Sequence, residues 1–221
     1  KEIKVYKDIA KQSAFALLNE LATKNISIIT CESATGGLII NTLLLFPLFG
    51  KNVLGGYVCY SDHCKTQMLD IKEQNIYTKE TCIKMSKNSL HKINANVSLA
   101  ILGHAGPSCI NDFGTLIIST SIRIVSNSHM KSMSYNLEQY DDYDVITFTK
   151  CMNICDFTHI DVSDNYKNAM KQKNINCESV DYAEIYRTRK LLKIIMTYKA
   201  CHFVTDILKN NNFVYKQHSR M

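Results

Sequence analysis

Residues 26–46 constrain the fold more than any other part of the chain. Ile26–Ser27–Ile28–Ile29–Thr30–Cys31 is rich in β-branched side chains, Glu32–Ser33–Ala34–Thr35–Gly36–Gly37 follows, and an apolar stretch runs from Leu38 to Phe46. β-Branched residues favour extended backbone, and paired glycines permit a reversal that side chains would obstruct. The segment therefore reads as strand, tight turn, helix. Val53 to Tyr60, Val97 to Leu102 and Gly114 to Val125 repeat the strand signature. Helical patterns lie around them. An amphipathic helix spans about Val5 to Thr23, a short one starts at the Ser61–Asp62 cap and runs to about Leu69, and a longer one starts at Thr78 and runs to about Ile93. Strands that are apolar throughout are covered on both faces, so the expectation is an α/β sheet between helical layers.

From Ser126 to about Ala183 the periodicity fades, with Val145 to Phe148 as its one expected strand. Regular structure returns with a closing amphipathic helix from Arg187 to Leu208. So long a stretch without elements is unusual inside a compact domain. The reading is a single domain over residues 1–221 with an insertion at about 126–183 that contributes one strand.

Composition removes several function classes. With 221 residues, 46% hydrophobic and 21% charged, the chain has enough apolar residues for a core and is not of disordered or fibrous type. Its longest apolar stretch, Leu38 to Phe49, falls short of the roughly 20 residues of a membrane span. The net charge of +6 comes from lysines spread along the chain with no basic stripe interleaved with aromatics, so neither nucleic acid nor membrane is an expected partner. Nine dispersed cysteines fit free thiols in a reducing compartment, and the expected location is the cytoplasm, an organelle being the alternative. Cys151, Cys155 and His159 share one-turn spacing, but structural zinc takes four ligands, so no metal is expected.

In open α/β sheets, ligands bind where strands end in turns. Three turns qualify. At Glu32 to Gly37, the glycines and the following helix start suit a phosphate, and Ser33 is placed to act as a nucleophile if a base adjoins it. The histidines lack a triad context, whereas a buried lysine turns into a neutral base; residue spacing alone does not choose among the lysines, though Lys65 follows the strand end at Tyr60–Ser61. The third turn, Gly103–His104–Ala105–Gly106–Pro107, offers backbone N–H groups to a substrate or an oxyanion.

Taken together, these turns resemble those of the CinA C-terminal domain family, the nicotinamide-nucleotide amidases. The family's T-A-E-S-C-T-G-G is matched by Thr30–Cys31–Glu32–Ser33–Ala34–Thr35–Gly36–Gly37, and its G-x-V-x-Y-S-N-E-A-K by Gly56–Tyr57–Val58–Cys59–Tyr60–Ser61–Asp62–His63–Cys64–Lys65. Its G-x-A-G-P is matched by Gly103 to Pro107, with Gly114–Thr115 following. The resemblance, over about Val5 to Ser121, implies a three-layer α/β/α sandwich with a mixed sheet. It also implies hydrolysis of the carboxamide of nicotinamide mononucleotide to nicotinate mononucleotide and ammonia, without cofactor or metal. On that resemblance Ser33 is the nucleophile, Lys65 its base, and Tyr60 positions or tunes the pair. Thr35, Gly36, Gly37, Gly103, Ala105 and Gly106 are the expected substrate contacts, and a homo-oligomer is implied.

The chain departs from the family pattern at several points. Leu102 stands where the family has Ser or Thr, the loop after Pro107 is shortened to Ser108 to Phe113, and the late G-D-R is echoed only by Arg187 or Arg189. A catalytically weak member that binds a nucleotide or a protein partner is therefore the alternative. Cys31, Cys59, Cys64 and Cys109 fall in or beside these turns, so thiol oxidation is an expected route to inactivation.

Overall fold

The computed structural model describes residues 2–72, 75–106, 113–125, 135–140, 143–156 and 182–216. Its elements are α1 (Glu2–Thr23), β1 (Ile28–Glu32), α2 (Leu38–Leu43), a 3-10 turn (Pro47–Asn52), β2 (Val53–Val58), α3 (Asp62–Leu69), α4 (Lys79–Ile93), β3 (Val97–Gly103), β4 (Thr115–Ile124), β5 (Asn136–Gln139), β6 (Asp144–Asn153), a second 3-10 turn (Ile154–Asp156) and α5 (Tyr182–Asn210). The sheet is mixed, in the order β2-β1-β3-β4-β6-β5. β1 runs parallel to both β2 and β3, and the remaining pairings are antiparallel. Helices cover both faces, giving the expected three layers.

Side-chain alternation divides the core. Ile28, Leu99, Ile101, Leu116 and Ile118 pack with α1, α2 and α5, where Leu17, Leu21, Ile195 and Val204 close the larger cluster. Cys31, Ala100, Leu102 and Ile117 pack on the opposite face against Leu69, Cys82 and Met85 of α3 and α4. Helix starts follow residue type: Ser61 Oγ accepts from Cys64 N at 3.1 Å, and Thr78 Oγ1 accepts from Thr81 N at 3.1 Å.

Two expectations change. The helix after the glycine turn ends at Leu43 and not at Phe46, because Pro47 disfavours helical backbone in the residue before it and starts a 3-10 turn instead. The span 126–183 supplies two strands among the described residues, where one was expected. β6 runs on to Asn153 along β4, and β5 is a short, largely exposed edge strand whose Asn136, Leu137, Glu138 and Gln139 carry no apolar alternation.

Candidate active site

The turn after β1 continues the sheet before it reverses. Ser33 N donates to Ile101 O at 3.1 Å, and Gly36 N closes the turn on Ser33 O at 3.2 Å. Gly36 and Gly37 take φ of +61° and +89°, a left-handed backbone that disfavours side chains. The unexpected residue is Glu32. Fully buried at the strand end, its carboxylate accepts from Thr35 Oγ1 at 2.7 Å, Ile39 N at 3.0 Å and Ile40 N at 2.8 Å. Two of the N–H groups expected to cradle a phosphate at the start of α2 are thus taken by an internal anion, and the Thr35 hydroxyl proton is committed there as well. Thr35, an expected substrate contact, lines the cavity described below while its hydroxyl proton points to Glu32.

On the α3/α4 side of the sheet, Cys59 N donates to Glu32 O at 2.8 Å, so the segment carrying Tyr60 and Lys65 leaves β2 beside the end of β1. Ser33 is 2% exposed and Lys65 is completely buried. Burial pulls the Lys65 pKa below its ordinary value, and Asp62 and the thiols of Cys59, Cys31 and Cys64 oppose that pull. Lys65 Nζ donates to Tyr60 O at 2.9 Å and makes no hydrogen bond to Ser33 Oγ. The Tyr60 side chain is exposed and its hydroxyl meets Arg189, so it is the Tyr60 carbonyl, and not the phenol, that touches Lys65.

On the opposite side of the turn lies a cavity of about 510 Å³. One wall is Thr35 to Leu38 with Asn41, the other Tyr186, Arg189, Lys190 and Lys193 of α5, and Ser33 lies outside both walls. Arg189 ties the elements together, donating to Gly106 O and, at 3.3 Å, to Tyr60 Oη. Lys193 Nζ sits 3.1 Å from where a Cβ on Gly36 would stand, so the glycine makes room for the ammonium. Burial lowers the Lys193 pKa, Arg189 adds to the effect, and Glu32 opposes it. Three cations facing an open space suit an anionic ligand group.

The remaining expected contacts separate. Thr35, Gly36 and Gly37 line the cavity, whereas Gly106 is linked to it only through Arg189, which donates to the Gly106 carbonyl. Gly103 serves packing: a Cβ there would lie 2.3 Å from Thr115 O. Ala105 is buried in the larger core cluster. His104 N donates to Thr115 O at 2.9 Å, and with Ser33 N also engaged, neither amide is available to an oxyanion. The His104 ring packs on Tyr77 with centroids 4.2 Å apart. Leu102 is buried beside Cys31 and Cys59, on the sheet face that carries Lys65. Pro107, residues 108–112 with Cys109, and His159 lie outside the described residues. Among the described residues no three His, Cys, Asp or Glu side chains are grouped to hold a metal, and no helix is long and apolar enough to cross a membrane.

Glu32, Asn41, Tyr186, Lys190 and Lys193 were not singled out from the sequence. The available signal was the concentration of Arg187, Arg189, Lys190 and Lys193 in the first half of the last helix. Of the two arginines suggested by the family pattern, Arg189 is the one at the site; Arg187 is exposed.

Comparison with known proteins gives a consistent picture. Residues 10–146 match the model of the CinA C-terminal domain. A CinA-like protein of Colwellia psychrerythraea is 36% identical over 106 residues, covering 46% of this chain and 24% of that protein. A CinA-like protein of Chloroherpeton thalassium is 31% identical over 125 residues, covering 52% and 30%. The chain thus spans less than a third of the length of these relatives. Among solved structures, competence damage-inducible protein A (ComA) of Klebsiella pneumoniae superposes with a TM-score of 0.62 at 15% identity, covering 90% of this chain and 97% of that one. A competence or damage-inducible protein from Enterobacter asburiae gives 0.60 at 16% identity, covering 90% and 98%.

Proposed function

The chain belongs to the CinA C-terminal domain family, and from that premise we propose that it is a nicotinamide-nucleotide amidase, hydrolysing the carboxamide of nicotinamide mononucleotide. The observation that carries the reading is the fully buried Lys65, its pKa lowered by burial, on the segment whose Cys59 N–H bonds to Glu32, the residue before Ser33. Burial disfavours the charged form of a lysine and so favours its use as a base. On this reading the Lys65 amine leaves Tyr60 O for Ser33 Oγ when substrate binds, since catalytic hydrogen bonds often tighten only in the complex. Ser33 Oγ then attacks the carboxamide carbon while Lys65 takes its proton. The tetrahedral adduct collapses, Lys65 returns the proton to the departing amine, and ammonia leaves behind a Ser33 ester. Water, deprotonated by Lys65, attacks the ester carbonyl, and the acid is released with Ser33 restored. The cation-walled cavity on the other side of the turn suits the substrate phosphate, with Arg189, Lys190 and Lys193 as its partners. The proposal needs no cofactor, metal, membrane or nucleic acid, and places the protein in the cytoplasm as a homo-oligomer.

The test is ammonia release from nicotinamide mononucleotide by the purified chain. Release abolished by Ser33→Ala supports the amidase; release that survives Ser33→Ala overturns the mechanism. One observation favours a second reading, a nucleotide- or protein-binding module: the Lys65 amine lies on Tyr60 O and not on Ser33. Nucleotide binding by calorimetry with no ammonia at any pH would select that reading.

A further inference from the structure

We propose that Cys59, Cys64 and Met68 form a site for a soft monovalent metal ion, copper(I) being the cation it selects. The two thiols converge on one thioether. Cys64 and Met68 lie one turn apart on α3, and Met68 Sδ stands 3.3 Å from Cys64 Sγ. Cys59, on the segment between β2 and α3, brings its Sγ to 3.9 Å from the same Met68 Sδ. Cys64 also packs against the apolar cluster that contains Cys59. Backbone hydrogen bonds fix both cysteines: Cys59 N donates to Glu32 O at 2.8 Å, and Cys64 N donates to Ser61 Oγ at 3.1 Å. Cys59 is buried, Cys64 partly exposed and Met68 exposed, so a cation reaches the thiols past the thioether.

The donor set selects the ion. Thiolate and thioether are soft ligands that favour copper(I), whereas structural zinc takes four ligands of nitrogen or thiolate type. The separations suit three-coordination. With metal–sulfur bonds of about 2.3 Å, the 3.3 Å and 3.9 Å separations subtend about 90° and 115° at a common cation. Widening the shorter one to about 4 Å gives the roughly 120° of a trigonal plane, and the unbranched Met68 side chain has the rotations to do so. On binding, each thiol gives its proton to solvent, and two copper–thiolate bonds and one copper–thioether bond form. Copper stays in its +1 state throughout, so no oxidant or reductant takes part.

The site stands independently of the amidase reading; only its consequence for turnover rests on that reading. Cys59 and Cys64 flank Tyr60 and precede Lys65, whose Nζ donates to Tyr60 O at 2.9 Å. A bound cation pins the segment across which the Lys65 amine swings to Ser33, so copper(I) slows ammonia release until a chelator removes it.

The test titrates the full reduced chain, in the absence of oxygen, with copper(I) held by the coloured chelator bicinchoninate. The expected result is that the chain takes a single equivalent from the chelator and that X-ray absorption shows a sulfur-only shell at about 2.3 Å. Cys64→Ser and Met68→Leu, at partly exposed and exposed positions, keep the circular dichroism of the wild type. The first lowers copper affinity at least about a hundredfold and the second about tenfold, because each removes a soft ligand. Cys151→Ser, at an exposed thiol on β6, leaves the affinity unchanged. A chain that takes no copper from the chelator, an affinity that survives both Cys64→Ser and Met68→Leu, loss of binding in Cys151→Ser, or nitrogen or oxygen in the metal shell each overturns the proposal. These readouts contain no turnover measurement, so their failure is distinct from failure of the amidase assay.

Discussion

Replacing Glu32 by glutamine tests the internal anion at the centre of the site. The carboxylate offers Oε2 to Thr35 Oγ1 and Ile39 N, and Oε1 to Ile40 N. Glutamine keeps one acceptor oxygen. With that oxygen in the Oε2 position, the side-chain amide faces Ile40 N, donor against donor, and a buried N–H is left unpaired. An unpaired buried donor costs about 1–3 kcal/mol, and loss of the negative charge at a helix start costs about 0.3–1 kcal/mol, up to ~2 in partly buried settings. Together Glu32→Gln destabilises the fold by about 2–4 kcal/mol. For a chain of this size each kcal/mol lowers the thermal midpoint by about 2–4 °C, so a fall of roughly 5–15 °C is expected in a thermal melt. Glu32→Ala leaves both helix N–H groups unpaired and falls further. A midpoint within about 2 °C of wild type in both variants refutes the reasoning, because unmet buried donors on that scale cannot be silent.

Two further outcomes follow from the lysines. Lys65→Met substitutes an apolar chain of similar reach in a completely buried position. Because the folded pKa of Lys65 lies below the ordinary 10.5, the folded state binds fewer protons than the unfolded chain; the burden on folding is present at neutral pH and lifts as pH rises toward 10.5. Lys65→Met therefore matches or exceeds wild-type stability in urea at pH 7, flattens that rise, and releases no ammonia; a large loss of stability contradicts it. Lys193→Ala removes a cation whose burial opposes its charge, so the thermal midpoint holds while KM for the phosphorylated substrate rises about tenfold, the equivalent of roughly 1.4 kcal/mol. An unchanged KM in steady-state assays removes Lys193 from the binding role.

The legible parts of this chain are those where local chemistry and tertiary need coincide. Ser61 and Thr78 sit before helical runs and cap them, and the paired glycines mark the reversal after β1. β5 escaped notice because an exposed edge strand has no core face to impose alternation. The end of β6 escaped because Thr149 to Asn153 are placed by pairing with β4 and not by burial of their own. At the site, Ser33, Tyr60 and Lys65 are carried by a local motif. The role of Glu32 requires knowing that the first turn of α2 folds back over the strand end, and Arg189 and Lys193 meet the turn only through the docking of α5 on α1, across more than 150 residues of sequence.

That docking also sets when the site comes into being. Helix α5 lies far along the sequence from the glycine turn, and at about 5–20 residues per second it leaves the ribosome many seconds after that turn. Until α5 arrives, Gly106 lacks the Arg189 guanidinium, the cation wall does not exist, and the apolar face of α1 has no cover. The nascent chain is therefore without its cation-walled cavity throughout that interval, and α1 is an aggregation-prone surface until it closes.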